Sequence, residues 1–575
     1  MEKIHPDFYK GMDISFLPQC MDEGMLVRDF DGAVTEPFGL LQKYGVNAIR
    51  LRLWHTPENV PETKGYCNLA HTMEMAGRAK AHGMEFMLDF HYSDYWADPA
   101  QQRKPKAWEK LDFAGLEQAV YEYTLDTLLA LKREGLLPGV VQIGNEIRSG
   151  LLFPDGELPD YAHMVRLVNA GIRGARAAAG QDEMRVMIHL DQGGRYFYLK
   201  EWFTKAFENG LLDFDLIGLS YYPFWHGTFN DLKETMERLI ADYHKPIMIV
   251  ETAHAWRKIK GGFIDEAQEK IAGFPATPEG QKTVLELVEN IVASLPDHMG
   301  QGIFYWEPLC VPKGAGGWAA NMGLLREDGQ VMEGILAFGF NEKNAGCREI
   351  AKIYEPQVCV TAPGEIPVFP KEISALLWDG SIRKRKVSWK RESSFEVPGE
   401  YRIEGIVEGA EQPVWMTVRV MSRSEERKNL LYDSNWDEGL TRWETACSGP
   451  EVIAQIFPEF ADPYPAPPLN ALRVEGSKNF TFRISQRVRI TRPGRYAFVA
   501  ELQGTDTTNV DVRMFIQTAS ERRENVIHLT EHGWELQRME AMVCESGFVS
   551  AGITIQASPM HGMVRRLSLV RVDDI

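Results

Sequence analysis

The sequence predicts an α/β chain in which a (β/α)8 TIM barrel is followed by all-β accessory domains. Three observations carry this expectation. Over residues 1–345, eight short apolar runs alternate with stretches of helical spacing. Those runs are nearly continuous in apolar residues, as strands of a parallel sheet covered on both faces must be. Beyond residue 370 the helical spacing stops, and short β-rich runs separated by Gly and Pro turns replace it.

The eight runs are residues 12–17, 46–54, 84–91, 139–146, 186–190, 214–221, 246–251 and 302–306. Between them, residues 69–82, 116–134 and 231–243 repeat their apolar positions at helical intervals. Eight such units in about 300 residues match a closed barrel. A doubly wound sheet fits less well, because no Gly-x-Gly-x-x-Gly follows the first strand. Residues 346–370, with Pro356, Pro363, Pro367 and Pro370, read as a linker. Residues 371–422 read as a small β module, with strands at 401–407 and 414–420. Residues 425–575 read as a β-sandwich or jelly roll of regular short strands.

Composition narrows the function. The 575 residues are 44% hydrophobic, enough for several cores. With 63 Lys and Arg against 81 Asp and Glu, the formal charge is -18. That balance disfavours nucleic acid and anionic membrane surfaces as partners. No apolar stretch is long enough for a membrane span. Seven cysteines without a CxxC pair give neither a disulfide framework nor a zinc site. The opening Met1-Glu2-Lys3-Ile4-His5-Pro6 has no apolar signal core. The expected address is therefore the cytoplasm, or the outside for a chain whose signal has been removed. Nothing in the sequence fixes an oligomeric state.

In such a barrel the chemistry sits at the C-terminal ends of the strands. Two candidate strands close on a glutamate: Val140-Val141-Gln142-Ile143-Gly144-Asn145-Glu146, and Pro246-Ile247-Met248-Ile249-Val250-Glu251. A carboxylate at the end of a buried strand is costly unless it is paired or used. A structural ion pair is the plain alternative for either one alone. The other strand ends bring Arg50 and Arg52, His91, Trp96, His189 and Asp191, Tyr222, Trp256 and Trp306. Flat aromatic faces beside charged hydrogen-bonding groups suit a sugar ring and its hydroxyls. A metal hydrolase is the less favoured reading, since no HExxH occurs and the His and Asp residues form no compact ligand motif. Two carboxylates among aromatics suit glycoside hydrolysis. A gap of about 5–5.5 Å between them predicts retention and about 6.5–9.5 Å inversion.

The motifs Gly11-Met12-Asp13-Ile14-Ser15, Asp89-Phe90-His91-Tyr92-Ser93-Asp94-Tyr95-Trp96-Ala97-Asp98-Pro99, Ile143-Gly144-Asn145-Glu146-Ile147-Arg148-Ser149-Gly150, Ser220-Tyr221-Tyr222-Pro223-Phe224 and Phe304-Tyr305-Trp306-Glu307-Pro308 bring a resemblance into view. Residues 8 to about 340 resemble the family 53 glycoside hydrolases, the endo-β-1,4-galactanases. The resemblance implies retaining hydrolysis of the β-1,4-galactan chains of type I arabinogalactan. It implies Glu146 as acid/base and Glu251 as nucleophile, with Asn145 on the sugar 2-hydroxyl and Arg50 beneath the nucleophile. His91, Asp191, Tyr222 and Trp306 would line the cleft, with Trp96 and Trp256 as stacking platforms. Some members bind calcium in the loops after strands seven and eight. Here Asp265 and Glu266 stand without a run of oxygen ligands, so no cofactor or metal is expected. Residues near 370–422 resemble bacterial immunoglobulin-like modules. Residues 425–575 resemble a galactan-binding module, with Trp436, Trp443 and Trp534 as candidate binding aromatics. The competing enzymatic reading is a β-galactosidase acting on short galacto-oligosaccharides. A glycan-binding protein with a degenerate barrel and a structural scaffold are the non-enzymatic alternatives.

Overall fold

The computed structural model describes residues 8–572, except 260–268, 270, 311–319, 347–348, 357–358, 362, 391–393, 421–428, 437–438, 450–451, 460–468, 477–478, 505–509, 530–533 and 558–559. The chain divides into two compact units, residues 1–347 with 378–380, and residues 348–377 with 381–575.

The first unit is a closed barrel of eight parallel strands. In chain order these are β1 (Tyr9–Asp13), β2 (Ala48–Leu53), β3 (Glu85–Phe90), β4 (Val140–Ile143), β5 (Arg185–Leu190), β6 (Leu216–Ser220), β7 (Ile247–Thr252) and β8 (Gly300–Trp306). Each overlaps one of the eight apolar runs. Most of the long helices between them start where a side chain takes an orphan backbone N–H; Tyr196–Glu208, capped by Arg195, does not. Asn68 accepts from His71, Asp112 from Gly115, and Asp160 from His163. Thr228 and Asp231 form a reciprocal capping box.

Inside the barrel, Tyr9, Ala48, Met87, Val140, Met187, Leu216, Met248, Val250 and Phe304 form one buried apolar cluster drawn from all eight strands. Gly11 lets β1 approach β8, because a Cβ there would meet the Phe304 ring at 2.2 Å. Two residues further along four of the strands, period-two alternation puts polar groups on the same inner face. Arg50 follows Ala48, Asp89 follows Met87, Gln142 follows Val140 and His189 follows Met187. An apolar floor thus passes into a polar mouth at the strand ends.

β7 departs from this alternation. Leu219 pairs with Ile249, yet the next residue, Ser220, pairs with Glu251. On the other side Ile303 pairs with Ile249 and Tyr305 with Thr252. One extra residue in β7 lies between Ile249 and Thr252, which is a β-bulge. It lets Val250 join the floor while Glu251 also turns inward to reach Arg50.

The second unit is all β. A six-stranded sheet has the order Ile350–Ile353, Glu372–Leu377, Ile382–Trp389, Gly399–Val407, Val414–Val420, Cys359–Thr361. Two of its strands lie within residues 346–370, so this stretch is not a plain linker. Its prolines sit outside the paired segments, and the intervening β-formers extend the sheet. Two five-stranded sheets between Glu444 and Arg571 enclose one apolar core.

Trp436 and Trp443 belong to that core. They are 1% and 6% exposed, and their rings meet edge-on at 5.8 Å. This corrects the expectation that they form an exposed sugar platform: an indole is a large apolar group, and here it fills the sandwich interior. Trp534 is half-buried, with the Arg565 guanidinium 4.0 Å from its ring centroid.

Candidate active site

The ends of β4 and β7 carry the two glutamates into different surroundings. Glu251 is 6% exposed and lies 3.0 Å from Arg50 Nη1. The Tyr222 hydroxyl donates to its Oε2 at 3.2 Å. Burial pushes the Glu251 carboxyl up to about 7; Arg50 opposes the rise, and the nearby charges of Asp13 and Asp89 add to it. Arg50 is shared, which explains why it only partly offsets burial. Its Nη1 also donates to Asp13 at 2.8 Å, and its Nη2 donates to Asp89 and to Asn145 Oδ1, each at 2.9 Å. One guanidinium therefore faces three carboxylates, all of them buried.

Glu146 leaves β4 through Gly144 and adopts a left-handed backbone, φ 47°. Tyr92 and Glu307, also just past strand ends, share this left-handed conformation with φ 51° and 49°. Ser220 donates to Glu146 Oε1 at 2.5 Å. Burial raises the Glu146 carboxyl well above its ordinary value, and the charges of Glu251 and Asp191 push the same way. No guanidinium meets it within ion-pair distance among the described residues. Of two acids at one mouth, Glu251 has the cation and Glu146 the neutral hydroxyl.

Most of the predicted neighbours gather at the same mouth, and Trp256 does not. Asn145 Nδ2 donates to the carbonyl of Ala97 at 2.8 Å, which orients the amide. The His91 Nδ1 accepts from the Ala97 N–H at 3.1 Å and from Trp54 at 3.3 Å, so its Nε2 carries the proton and donates to Asp89 at 3.1 Å. Asp191 is held by Arg148 Nε at 2.8 Å. Trp96 and Trp306 are both half-buried, with ring centroids 5.7 Å apart. Trp256 stands on the loop after β7. Its backbone N–H donates to Asn321, and the Arg257 guanidinium lies 4.4 Å from its ring. No hydrogen bond or ring contact described for it reaches the carboxylate cluster. Asp265 and Glu266 lie outside the described residues. Among the described residues, no group of three or more His, Cys, Asp or Glu is placed to hold a metal.

Several groups of this mouth carry no assigned role in the sequence reading. Gln142, His189 and Ser220 form a buried polar chain beneath Asn145 and Glu146. Arg52 donates to Glu307 at 2.6 Å, and its guanidinium lies 4.0 Å from the Phe16 ring and 4.4 Å from the Trp96 ring. Burial lifts the Glu307 carboxyl to about 8 against the pull of Arg52. This pair supports the aromatic corner from below. The period-two repeat of polar residues in Asp13/Ser15, Arg50/Arg52, Asp89/His91, His189/Asp191 and Ser220/Tyr222 was the available signal.

The arrangement can protonate one bonded oxygen from a neutral carboxyl and attack the adjoining carbon with a cation-paired carboxylate. The model of glycosyl hydrolase family 53 matches residues 9–344, and that of the bacterial Ig-like domain (group 4) matches residues 355–410. An arabinogalactan endo-β-1,4-galactanase of Cellvibrio japonicus is 38% identical over 316 residues, which span 53% of this chain and 81% of the relative. One from Thermothelomyces thermophilus is 34% identical over 336 residues, 57% of this chain and 98% of the relative. The family 53 catalytic domain of Ignisphaera aggregans superimposes with a TM-score of 0.54 at 32% identity, covering 58% of this chain and 96% of that one.

Proposed function

The chain belongs to glycosyl hydrolase family 53, and from that premise we propose that it cleaves β-1,4-galactosidic linkages within galactan chains by a retaining double displacement. The observation that carries the reading is the unequal environment of the two glutamates, Glu251 buried and Glu146 half-buried. Glu251, beside Arg50 and the Tyr222 hydroxyl, is the nucleophile. Glu146, raised by burial and by the Glu251 charge, is the acid/base.

In the first step the proton of Glu146 passes to the glycosidic oxygen as the C1–O bond breaks. Glu251 forms an ester to C1. In the second step water attacks C1 and gives its proton to Glu146, and the ester bond breaks. The two glutamates exchange charge between steps, so the Glu146 carboxyl loses the repulsion of Glu251 once the ester forms. Asn145 keeps one amide N–H for the sugar 2-hydroxyl, since the other is committed to Ala97. Trp96 and Trp306 offer aromatic walls to neighbouring sugars. No described helix is long and apolar enough to cross a membrane.

The test is a product time course on β-1,4-galactan. Internal cleavage gives early oligosaccharides of mixed length and a rapid fall in viscosity. Release of galactose alone from chain ends supports the short-oligosaccharide β-galactosidase instead. Unchanged galactan points to a binding protein.

A further inference from the structure

We propose that Ser220, held by His189, is a positioning residue that fixes the transferable proton of Glu146 on Oε2. The inference rests on the reading of Glu146 as the acid/base. Its starting point is a chain of three groups. Ser220 Oγ lies 2.5 Å from Glu146 Oε1, and His189 Nε2 lies 2.9 Å from Ser220 Oγ. Ser220 and His189 are both fully buried.

The direction of each hydrogen bond follows from His189. Burial and the neighbouring Arg50 charge hold this imidazole well below its ordinary pKa, so it is neutral and carries one proton. Its Nδ1 lies 3.4 Å from the backbone N–H of Glu146, a group that can only donate; the Gln142 amide nitrogen, 3.0 Å away, is shared with Asp89 Oδ1 at 2.6 Å and the Gly144 carbonyl at 3.0 Å. Asn145 Oδ1 also lies 3.0 Å away, but it is met by Arg50 Nη2 and Gln142 Nε2, and a proton on Nδ1 would face the Glu146 N–H. Nδ1 is therefore the bare nitrogen, and the proton sits on Nε2. Nε2–H donates to Ser220 Oγ, and the single hydroxyl proton of Ser220 turns to Glu146 Oε1. With Oε1 committed as an acceptor, a proton on this carboxyl belongs on Oε2.

The consequence is directional. In glycosylation the proton leaves Oε2 for the glycosidic oxygen; in deglycosylation a water proton returns to Oε2. The Ser220 proton stays on its own oxygen throughout. Its hydrogen bond also favours the ionised form of Glu146, which eases proton release against the charges of Glu251, Asp191 and Asp98. Arg148 faces the same corner but is paired with Asp191. His226 meets the Ser220 backbone carbonyl through Nδ1 at 3.0 Å.

Full-length Ser220→Ala and Glu146→Gln are compared with the parent on β-1,4-galactan and on 2,4-dinitrophenyl β-1,4-galactobioside, whose leaving group needs no proton. Ser220→Ala is expected to lower kcat/KM on galactan roughly tenfold and to change the first step on the aryl substrate less than about twofold. The alkaline limb of the galactan kcat/KM profile should move up by roughly half to one pH unit, because a donor to the ionised form is lost. Equal loss on both substrates with an unmoved alkaline limb overturns the proposal. If Ser220→Ala loses its fold, judged by circular dichroism, Ser220→Cys takes its place as a near-isosteric weak donor. The same upward shift then supports the proposal, and an unmoved limb overturns it. Glu146→Gln separates the two readings. If it keeps galactan hydrolysis with a parental pH profile, Glu146 is not the acid/base. If it loses galactan hydrolysis while the limb of the Ser220 variant stays put, only the Ser220 role falls.

Discussion

Arg50 Nη1 and Glu251 Oε1 meet at 3.0 Å, where one extra residue in β7 turns the glutamate into the barrel mouth. Both side chains are buried, so neither charge is screened by water. Asp13 and Asp89 share the same guanidinium. Glu251 is thus poised between ionisation and neutrality rather than locked as an anion.

That balance sets the acid limb of activity. Glu251 must be ionised to attack, and its carboxyl is raised to about 7. The kcat/KM of the free enzyme should fall as the pH drops below about that value. Glu146 must hold its proton, so the alkaline limb reports its deprotonation. A pH–rate profile on galactan checks both limbs. Glu251→Ala should abolish hydrolysis, and azide should restore cleavage of an activated galactoside with inverted product. No rescue in a folded variant counts against the nucleophile role.

Glu146→Ala should slow galactan hydrolysis by about 10²–10⁴-fold while sparing the first step on substrates with good leaving groups. Equal losses on galactan and on a dinitrophenyl galactoside would contradict the acid role.

The same carboxyl weakens the fold at high pH. Its pKa is raised on folding, so between its unfolded and folded values the native state holds the extra proton. Stability therefore falls as pH rises above the unfolded pKa, and continues to fall until the folded pKa is passed. Glu146→Gln should raise Tm, and by more at pH 8 than at pH 5. A Tm gain that does not depend on pH would exclude this origin.

Replacing Arg50 by Met strands Asp13, Asp89 and Glu251 without their cation. Loss of one partner of a buried pair costs about 3–5 kcal/mol. Chemical denaturation should show a loss of this order at neutral pH. The loss should shrink under mildly acidic conditions, where protonation discharges Glu251.

In the β unit, Trp436→Ala should cost about 3–5 kcal/mol, as for a large side chain deleted from a packed core. Trp534→Ala should leave the unfolding free energy within about 1 kcal/mol of the parent, because its ring is half-buried. If residues 425–575 bind galactan through this indole, the variant loses affinity for polymer but not activity on galactotetraose. Titration of galactan into catalytically inactive full-length protein reads the affinity directly.

The sequence was most informative where one physical rule acted alone. The eight apolar runs became eight strands because each must be covered on both faces. Arg50, Asn145, Glu146, Asp191 and Tyr222 were legible because strand ends point into the mouth. Glu251 was identified by its place at a strand end, but its direction was not: alternation with Met248 sends it outward, and only the bulge brings it in. Ser220 stood in a strand-end motif and His189 at a strand end, yet their links to Glu146 span 74 and 43 residues of chain. Trp436 and Trp443 were misread because residue type does not distinguish a buried indole from a sugar platform. The strands inside residues 346–370 were hidden by the prolines that separate them.

The stereochemistry of the first products tests the central claim most directly. Hydrolysis of β-1,4-galactan followed by proton NMR should show new reducing ends appearing first as the β anomer, with the α anomer growing only by mutarotation. New ends that appear first as the α anomer would contradict the double displacement between Glu251 and Glu146.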